Sequence, residues 1–236
     1  MTSYESKKPS KIIGIQFSIL SPHEIQKASV AEITNRDTYV NNKPVLGGLF
    51  DPRMGILEPG FICPTDGLDY IQTPGYFGHM NLARPVFYIQ YLATIMKILR
   101  CVCIKCSKIL IDKDKYSYLL NANNDERWQK VFAFASKKKR CGEDSQNGCG
   151  CLQPKLKKEG LATLIAEWNE KEESTENTTL NADNKLIMKL VPELVIKILR
   201  KISDEDVNFM GFSPIWSRPE WMICQTMAVP PPAVRP

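Results

Sequence analysis

Apolar residues recur at helical spacing in the middle of the chain and again near its C-terminus. Over Pro85–Leu99 they return every three or four residues, which predicts an amphipathic helix that ends beside a cluster of cysteines. The same period runs over Lys185–Ile202, where Pro192 is expected to kink the helix or to divide it in two. A further helix is predicted from Asp125 to about Ala135.

The N-terminal part shows other patterns. Apolar and polar residues alternate over Lys11–Ile19, which predicts a strand. Ser21 followed by Pro22 is typical of a helix start, with serine as the N-cap and proline at the first helical position. The stretches Gly47–Gly55 and Pro59–Gly78 are rich in Gly and Pro and are predicted to be irregular. An irregular loop as long as the second stretch is unusual unless something holds it.

Two later segments are expected to lack a packed core. Residues Glu170–Asn184 are almost entirely polar and are predicted to form a mobile surface excursion. The chain closes on Met227–Pro236, which contains three consecutive prolines and is predicted to be extended and unpacked. Such an ending is unusual for a finished domain.

Composition narrows the class of protein. With 236 residues, 43% hydrophobic and 24% charged, the chain can bury a core in one or two domains, which excludes a fully disordered protein. Charged residues interrupt the apolar stretch around Pro85–Leu99, and no apolar segment follows the polar N-terminus, so neither a membrane span nor a signal peptide is expected. In an intracellular protein, the eight cysteines are better explained as metal ligands than as disulfides.

The clustered cysteines predict a structural zinc site. Four thiolates suit tetrahedral zinc, and the two-residue gap between the first pair lets one turn present both sulfurs. The predicted ligands are Cys103, Cys106, Cys141 and Cys149. Spacing alone also allows Cys101 in place of Cys103 and Cys151 in place of Cys149. The competing interpretation, buried free thiols, is less favoured because polar residues surround the sulfurs.

Positive charge is concentrated in one stretch. The net charge is only +5, from 31 Lys and Arg against 26 Asp and Glu, but most basic runs lie between Arg100 and Lys158. That stretch could contact a phosphate backbone by counterion release, although a solvated basic face explains the charge equally well.

No motif for catalysis stands out. Asp204 and Asp206 could suggest a nuclease-like carboxylate pair, but Ser203 before them favours a helix N-cap with acids in the first turn. His79 is expected to be a structural hydrogen-bonding residue. The chain contains no glycine-rich phosphate loop and no nucleophile elbow, so its motifs indicate a scaffold.

Six ordered blocks carry a resemblance to a known family. Together they resemble the N-terminal clamp region of the largest subunit of DNA-directed RNA polymerase II. The blocks are Phe17–Pro22, Gly47–Gly55, Pro74–Phe87, Cys101–Cys106, Gly148–Pro154, and Gly211–Met222 with Val229–Pro236.

The resemblance implies an irregular α+β fold, stabilised by zinc, that is a fragment of a larger enzyme rather than an autonomous domain. It divides the chain into a clamp core segment at 1–100, a zinc-binding clamp head segment at 101–160 and a helical segment at 161–236. It also implies that Cys103, Cys106, Cys141 and Cys149 bind the zinc, which makes Cys101 and Cys151 extra.

The family has a second, earlier zinc site with the pattern Cys-x2-Cys-x6-Cys-x-Gly-His. At those positions this sequence has Cys63, Asp66, Thr73 and Tyr76, so only the first ligand is retained and zinc is not expected there. This departure suggests a divergent version, such as one encoded by a large DNA virus. The loop is expected to be held by aromatic packing instead, through Phe61, Tyr70, Tyr76 and Phe77.

The resemblance implies a role in transcription. The clamp closes over template DNA and the RNA–DNA hybrid, and its partners are other polymerase subunits and the rest of the largest subunit, with no membrane. The family's magnesium-binding loop, Asn-Ala-Asp-Phe-Asp-Gly-Asp, is absent, so the chain is expected to belong to a nucleotidyltransferase without being catalytic itself. The expected location is the nucleus for a cellular protein, or a cytoplasmic virus factory or virion for a viral one. The main alternative is a stand-alone zinc module that binds polymerase or nucleic acid as a regulator.

Overall fold

In the computed structural model, helices and strands alternate irregularly over the described residues, which are 11–144, 147–168, 179–180 and 186–235. The helices are α1 (Pro22–Ala28), α2 (Leu92–Cys101), α3 (Asn124–Ala135), α4 (Pro192–Arg200) and α5 (Asp204–Phe209). The strands are β1 (Tyr39–Val40), β2 (Lys43–Pro44), β3 (Gly78–Phe87), β4 (Lys155–Glu159), β5 (Thr163–Trp168), β6 (Thr179–Leu180), β7 (Leu186–Leu190) and β8 (Ile223–Val229). This mixture of helix and sheet is an α+β fold, as expected.

The strands form three antiparallel sheets. β1 pairs with β2, β3 pairs with β8, and four strands lie in the order β4-β5-β7-β6. In the larger sheet, Leu164 lies opposite Leu190 and Leu156 lies opposite Ala166, and all four are buried. Because alternate residues of a strand share a face, these side chains form the apolar face that packs into the core.

The main core lies among α2, α4, α5 and the larger sheet. α2 contributes Ile95 and Ile98, and α4 contributes Val195 and Leu199, which are spaced on one helix face and fully buried. The same cluster continues from Cys101, the last residue of α2, into Val102 and Cys103. The first cysteine cluster is therefore anchored directly on the core.

The predicted helix over Pro85–Leu99 is wrong at its beginning. Residues up to Phe87 belong to β3, where Val86 pairs with Cys224 and Phe87 with Ile223, and α2 begins only at Leu92. The long-range pairing with β8 overrides the helical pattern. Pro85 is accommodated because the β3–β8 register shifts between Asn81 and Val86, where a missing backbone donor costs little.

The predicted helix over Lys185–Ile202 is divided at Pro192. Residues Leu186–Leu190 form β7, and α4 begins at Pro192, which occupies a first-turn position where its missing N–H costs nothing. Leu186 and Leu190 misled the prediction because residues four apart share a face in a strand as well as in a helix.

Residues 11–19 do not form the predicted strand. Among the described residues they pair with no other strand, and Ile13 and Phe17 leave 98% and 89% of their surfaces exposed. In the described structure, the end of this segment is tied to the rest of the fold by one backbone bond, from the N–H of Ile19 to the carbonyl of Trp216, and by packing of the Ile19 side chain against the main core.

The helix starts are predicted better. Ser21 and Glu24 form a reciprocal capping box at α1, and α3 covers Asn124–Ala135, close to the predicted span. Residues 59–77 are irregular, as predicted. The predicted excursion over 170–184 lies outside the described residues except for strand β6.

The C-terminal segment was expected to be unpacked, but it packs against the fold. Met227–Val229 completes β8, Pro231 and Pro232 are buried, and the Arg235 guanidinium donates to the carbonyl of Leu49 at 2.6 Å. Pro232–Val234 forms one short 3-10 turn. In the described part of the chain, none of the helices is long and apolar enough to cross a membrane.

Candidate metal centre

The first pair of cysteines lies in a tight turn after α2. Val102 and Ile109 form an antiparallel bridge, and within it the N–H of Cys103 donates to the carbonyl of Lys108 at 2.8 Å. The N–H of Ser107 donates back to the carbonyl of Cys103 at 2.8 Å. Ser107 adopts a φ of +60°, a left-handed conformation that reverses the chain just after Cys106. The turn therefore presents both sulfurs on one side.

The second pair lies in a matching turn after α3. Arg140 and Leu152 form an antiparallel bridge, and Cys141 exchanges backbone bonds with Cys151 and Gly150, both at 3.0 Å. Gly148 packs so closely that an added Cβ would lie 2.2 Å from the Gly142 backbone. Glycine at this position is what allows the chain to fold back and bring Cys149 next to Cys141.

The two turns face each other and bring four sulfurs together. All four Sγ atoms of Cys103, Cys106, Cys141 and Cys149 lie within 4.8 Å of one another. The Cys103–Cys149 and Cys106–Cys141 sulfur separations are 3.5 and 3.6 Å. A tetrahedron with zinc–sulfur bonds of about 2.3 Å has sulfur–sulfur edges of about 3.8 Å. The residues present therefore fit a four-thiolate zinc site.

Cys101 and Cys151 are not members of this cluster. Both are buried, and the Cys151 thiol donates to the carbonyl of Leu152 at 3.5 Å. Burial raises the pKa of Cys101 to about 12, only partly opposed by the charge of Arg100. A thiol with that pKa is neutral at physiological pH and behaves as a small apolar side chain.

The surroundings of Cys103 lower the pKa of its thiol. Burial raises its pKa, but hydrogen bonds from the backbone N–H groups of Cys106 and Lys105 oppose that effect. The side chains of Gln153 and Cys149 lower it further, and the resulting pKa of Cys103 is about 7. Cys103 is thus readily available as a thiolate, the form that binds metal.

Comparison with known proteins decides the family. The model of the family RNA polymerase Rpb1, domain 1, matches residues 9–236 of the chain. The chain belongs to this family. A DNA-directed RNA polymerase II subunit RPB1 from Euplotoides octocarinatus is 40% identical over 235 residues, which is 96% of this chain and 48% of that relative. The chain spans about half the length of the relative and corresponds to the N-terminal region of the largest subunit, so the resemblance is confirmed.

In this Rpb1 domain, the residues at the positions of the second family zinc site form a hydrogen-bonded cluster. Asp66 Oδ2 accepts from the Thr73 hydroxyl at 2.7 Å and the Tyr76 hydroxyl at 3.1 Å, and Asp66 Oδ1 accepts from the N–H of Leu68 at 3.0 Å. Desolvation raises the pKa of Asp66, but these bonds and one from Cys63 outweigh it, so the pKa is lowered overall. One thiol, one carboxylate and two hydroxyls do not fit the ligand preference of structural zinc.

The expected aromatic packing of this loop is largely wrong. Phe61, Tyr70 and Phe77 leave 43–52% of their surfaces exposed, and Tyr76 acts through its hydroxyl on Asp66. Hydrogen bonds rather than ring packing hold the loop.

The acidic residues Asp204 and Asp206 lie at the start of α5, where the Ser203 hydroxyl accepts from the N–H of Asp206 at 3.1 Å. Asp204 pairs with Arg218, and Asp206 lies 2.9 Å from the Lys113 ammonium. Asp206, but not Asp204, lines a cleft of about 400 Å³. Apart from the cysteine cluster, the described residues contain no group of three metal-ligating side chains. The arrangement is a capped helix start, as predicted, and not a two-metal site.

His79 has the structural role predicted for it. Its Nδ1 lies 2.8 Å from the Ser29 hydroxyl, which donates to the carbonyl of Ala31 at 2.9 Å. The ring therefore fixes the approach of β3 to the chain after α1.

A basic groove runs beside the second cysteine turn. It has a volume of about 900 Å³, and Leu152, Pro154 and Trp168 line part of it. Its exposed side chains Lys137, Lys139 and Lys155 make no ion pair with the described residues. Its other basic residues are Arg100, Lys138 and Arg140, of which Lys138 pairs with Asp144 at 2.8 Å.

One residue of the centre was missed by the sequence analysis. Gln153 was not a candidate ligand, yet its side chain contacts the sulfur of Cys103. Two signals in the sequence point to it: its place two residues after Cys151, and its position inside the block Gly148–Pro154 that carries the family resemblance.

Proposed function

We propose that the chain is the clamp part of the largest subunit of a DNA-directed RNA polymerase, and that it closes over template DNA and the RNA–DNA hybrid during transcription. The single observation that supports this most is the family match over residues 9–236. The stand-alone regulator is less favoured, because the relative that matches over 96% of the chain is a polymerase subunit.

We further propose that the centre holds one zinc ion through Cys103, Cys106, Cys141 and Cys149. When bound, zinc supplies a structural cross-link, and four protein sulfurs leave no open position for catalysis. The cross-link joins the turn after α2 to the turn after α3. It closes the segment between them on the core, with an apparent binding free energy of about 10–16 kcal/mol at neutral pH.

The basic groove is proposed as a phosphate-contacting surface of the clamp. Lys137, Lys139 and Lys155 are exposed and lack an acidic partner among the described residues, so each can exchange counterions for phosphates. The groove adjoins the cysteine turn at Cys141, so the proposed zinc would also fix where these lysines lie.

The catalytic part of the enzyme is proposed to lie elsewhere. The family's magnesium-binding loop does not occur in these 236 residues, so nucleotidyl transfer would require the remaining part of the enzyme and its Mg²⁺. The proposed partners are the rest of the largest subunit and other polymerase subunits. The proposed location is the nucleus, and the viral origin stays an untested prediction.

The groove can be tested by replacing its three exposed lysines together. We expect the triple variant with Lys137→Gln, Lys139→Gln and Lys155→Gln to bind a fluorescent RNA–DNA hybrid more weakly than the unsubstituted chain does. The negative slope of log affinity against log salt concentration should become shallower by about 2 to 3. Each phosphate contact that is removed lowers the number of counterions released on binding. Fluorescence anisotropy across a salt series measures both quantities.

The matched control removes the same charge from exposed lysines outside the groove, at Lys27, Lys43 and Lys197. An equal loss of affinity in this control would show that net charge, and not the groove, attracts the hybrid.

A further inference from the structure

The side chain of Gln153 makes three hydrogen bonds that join the two cysteine turns. Its Nε2 donates to the sulfur of Cys103 at 3.3 Å and to the carbonyl of Cys151 at 2.8 Å. Its Oε1 accepts from the backbone N–H of Ile104 at 3.1 Å. One amide therefore binds the first turn at the Cys103 sulfur and at the Ile104 backbone. The same amide binds the second turn at the Cys151 backbone.

The position of Gln153 is itself fixed by the fold. Its N–H donates to the carbonyl of Lys139 at 2.7 Å, and the indole of Trp168 donates to the carbonyl of the preceding Leu152 at 3.1 Å. The amide also has one consistent orientation. Exchanging its nitrogen and oxygen would set an oxygen against the Cys151 carbonyl and an NH₂ against the Ile104 N–H.

We propose that Gln153 is a positioning residue of the metal centre: its amide orients the Cys103 sulfur toward the ion and holds the two cysteine turns at the separation one ion requires. This inference rests on the proposed zinc site. Hydrogen bonds from outside the ligand set orient the ligands and tune the charge on the sulfur, and their loss commonly costs 10–100-fold in metal affinity.

A second feature supports the role. The Cys103 sulfur also accepts a hydrogen bond from the backbone N–H of Lys105, at 3.4 Å. That bond is local, between neighbours in one turn, whereas the bond from Gln153 spans 50 positions of the chain. Gln153 therefore supplies what the local turn cannot, a link between the first pair of sulfurs and the second.

The test uses the full 236-residue chain with Gln153→Met, Gln153→Glu and the control Gln129→Met, which changes an exposed glutamine on α3. Zinc affinity is measured by competition with a chromophoric chelator, and cobalt substitution reports sulfur–metal geometry through its thiolate absorption band. We expect Gln153→Met to bind one metal per chain about 10–100-fold more weakly, with a shifted cobalt band. Gln153→Glu should be at least as weak, because a carboxylate oxygen would face the thiolate and the Cys151 carbonyl.

A measurement on the unsubstituted chain covers the case in which a variant does not fold. With ¹¹³Cd in the centre, NMR should show a scalar coupling between the metal and a side-chain amide proton of Gln153, transmitted through the hydrogen bond to sulfur. Affinity of Gln153→Met within twofold of the unsubstituted chain, or absence of that coupling, would overturn the positioning role. An unsubstituted chain that binds no stoichiometric metal would instead overturn the zinc site itself, together with this inference.

Discussion

At the scale of single residues, the surroundings of a cysteine decide what its sulfur can do. The sulfur of Cys106 lies 3.6 Å from the sulfur of Cys141 within the four-sulfur cluster. Cys151, only two residues beyond Cys149, instead donates its thiol proton to the carbonyl of Leu152. Both residues are cysteines of the two turns and differ in what their sulfurs contact, so they form a natural pair of test positions.

We expect Cys106→Ser to abolish tight zinc binding and Cys151→Ser to leave it nearly unchanged. Serine at 106 removes one of four thiolates, which should cost more than the roughly 10–100-fold typical of an outer-shell partner. Serine at 151 can still donate to the Leu152 carbonyl. Chelator competition and thermal unfolding followed by circular dichroism measure the two effects, and equal damage from both variants would contradict the ligand assignment.

At the scale of elements, the Asp66 carboxylate joins three positions of the loop over residues 59–77 by hydrogen bonds. Asp66→Asn removes the negative acceptor for Thr73 and Tyr76, so we expect faster hydrogen exchange of that loop with the rest of the fold unchanged. Asp69→Asn is the matched control, because the Asp69 carboxylate accepts only from nearby backbone N–H groups in the described structure. Equal loosening of the loop in both variants would contradict the central role of Asp66.

The same carboxylate gives the loop a pH dependence of known sign. The pKa of Asp66 in the folded protein lies below its ordinary value of 3.8. The contribution of the carboxylate to the stability of the loop is therefore fully present above pH 3.8. It is lost as the pH falls through the folded pKa. Hydrogen exchange of the loop should therefore rise under acid more in the unsubstituted chain than in Asp66→Asn, after correction for intrinsic exchange rates.

The elements also show how far pattern reasoning reaches. Helix starts were predictable because capping is local: Ser21 and Ser203 each bond a backbone N–H three residues on. The strands at Pro85–Phe87 and Leu186–Leu190 were not predictable, because their partners lie far along the chain and their apolar spacing fits a helix equally well. The hydrogen bonds of Gln153 and Asp66 were missed for a related reason, since no spacing rule predicts an amide or carboxylate contact.

At the scale of the whole molecule, the metal centre and the main core are one structure. Cys101, Cys103 and Cys141 belong to the same buried cluster as α2 and α4, so the turns are partly held by packing before any metal binds. Spacing predicted a cluster of four cysteine ligands but allowed Cys101 and Cys151 as members, and only the family resemblance selected Cys103, Cys106, Cys141 and Cys149. The packing of the turns against the core could not be predicted from the sequence, because it depends on the long-range fold.

This coupling leads to a prediction about metal removal. Elemental analysis should find one zinc per chain, and two per chain would show that the loop around Cys63 also binds. Chelation under reducing conditions, which prevent the sulfurs from pairing, should speed hydrogen exchange in residues 103–111, 139–144 and 147–153. Exchange in α4 and β8 should change much less, because α4 contacts β3 and the 3-10 turn Pro219–Met222, and β8 pairs with β3 and contacts α1. Uniform acceleration across the chain would show instead that the metal supports the entire fold, and that packing alone does not maintain the core.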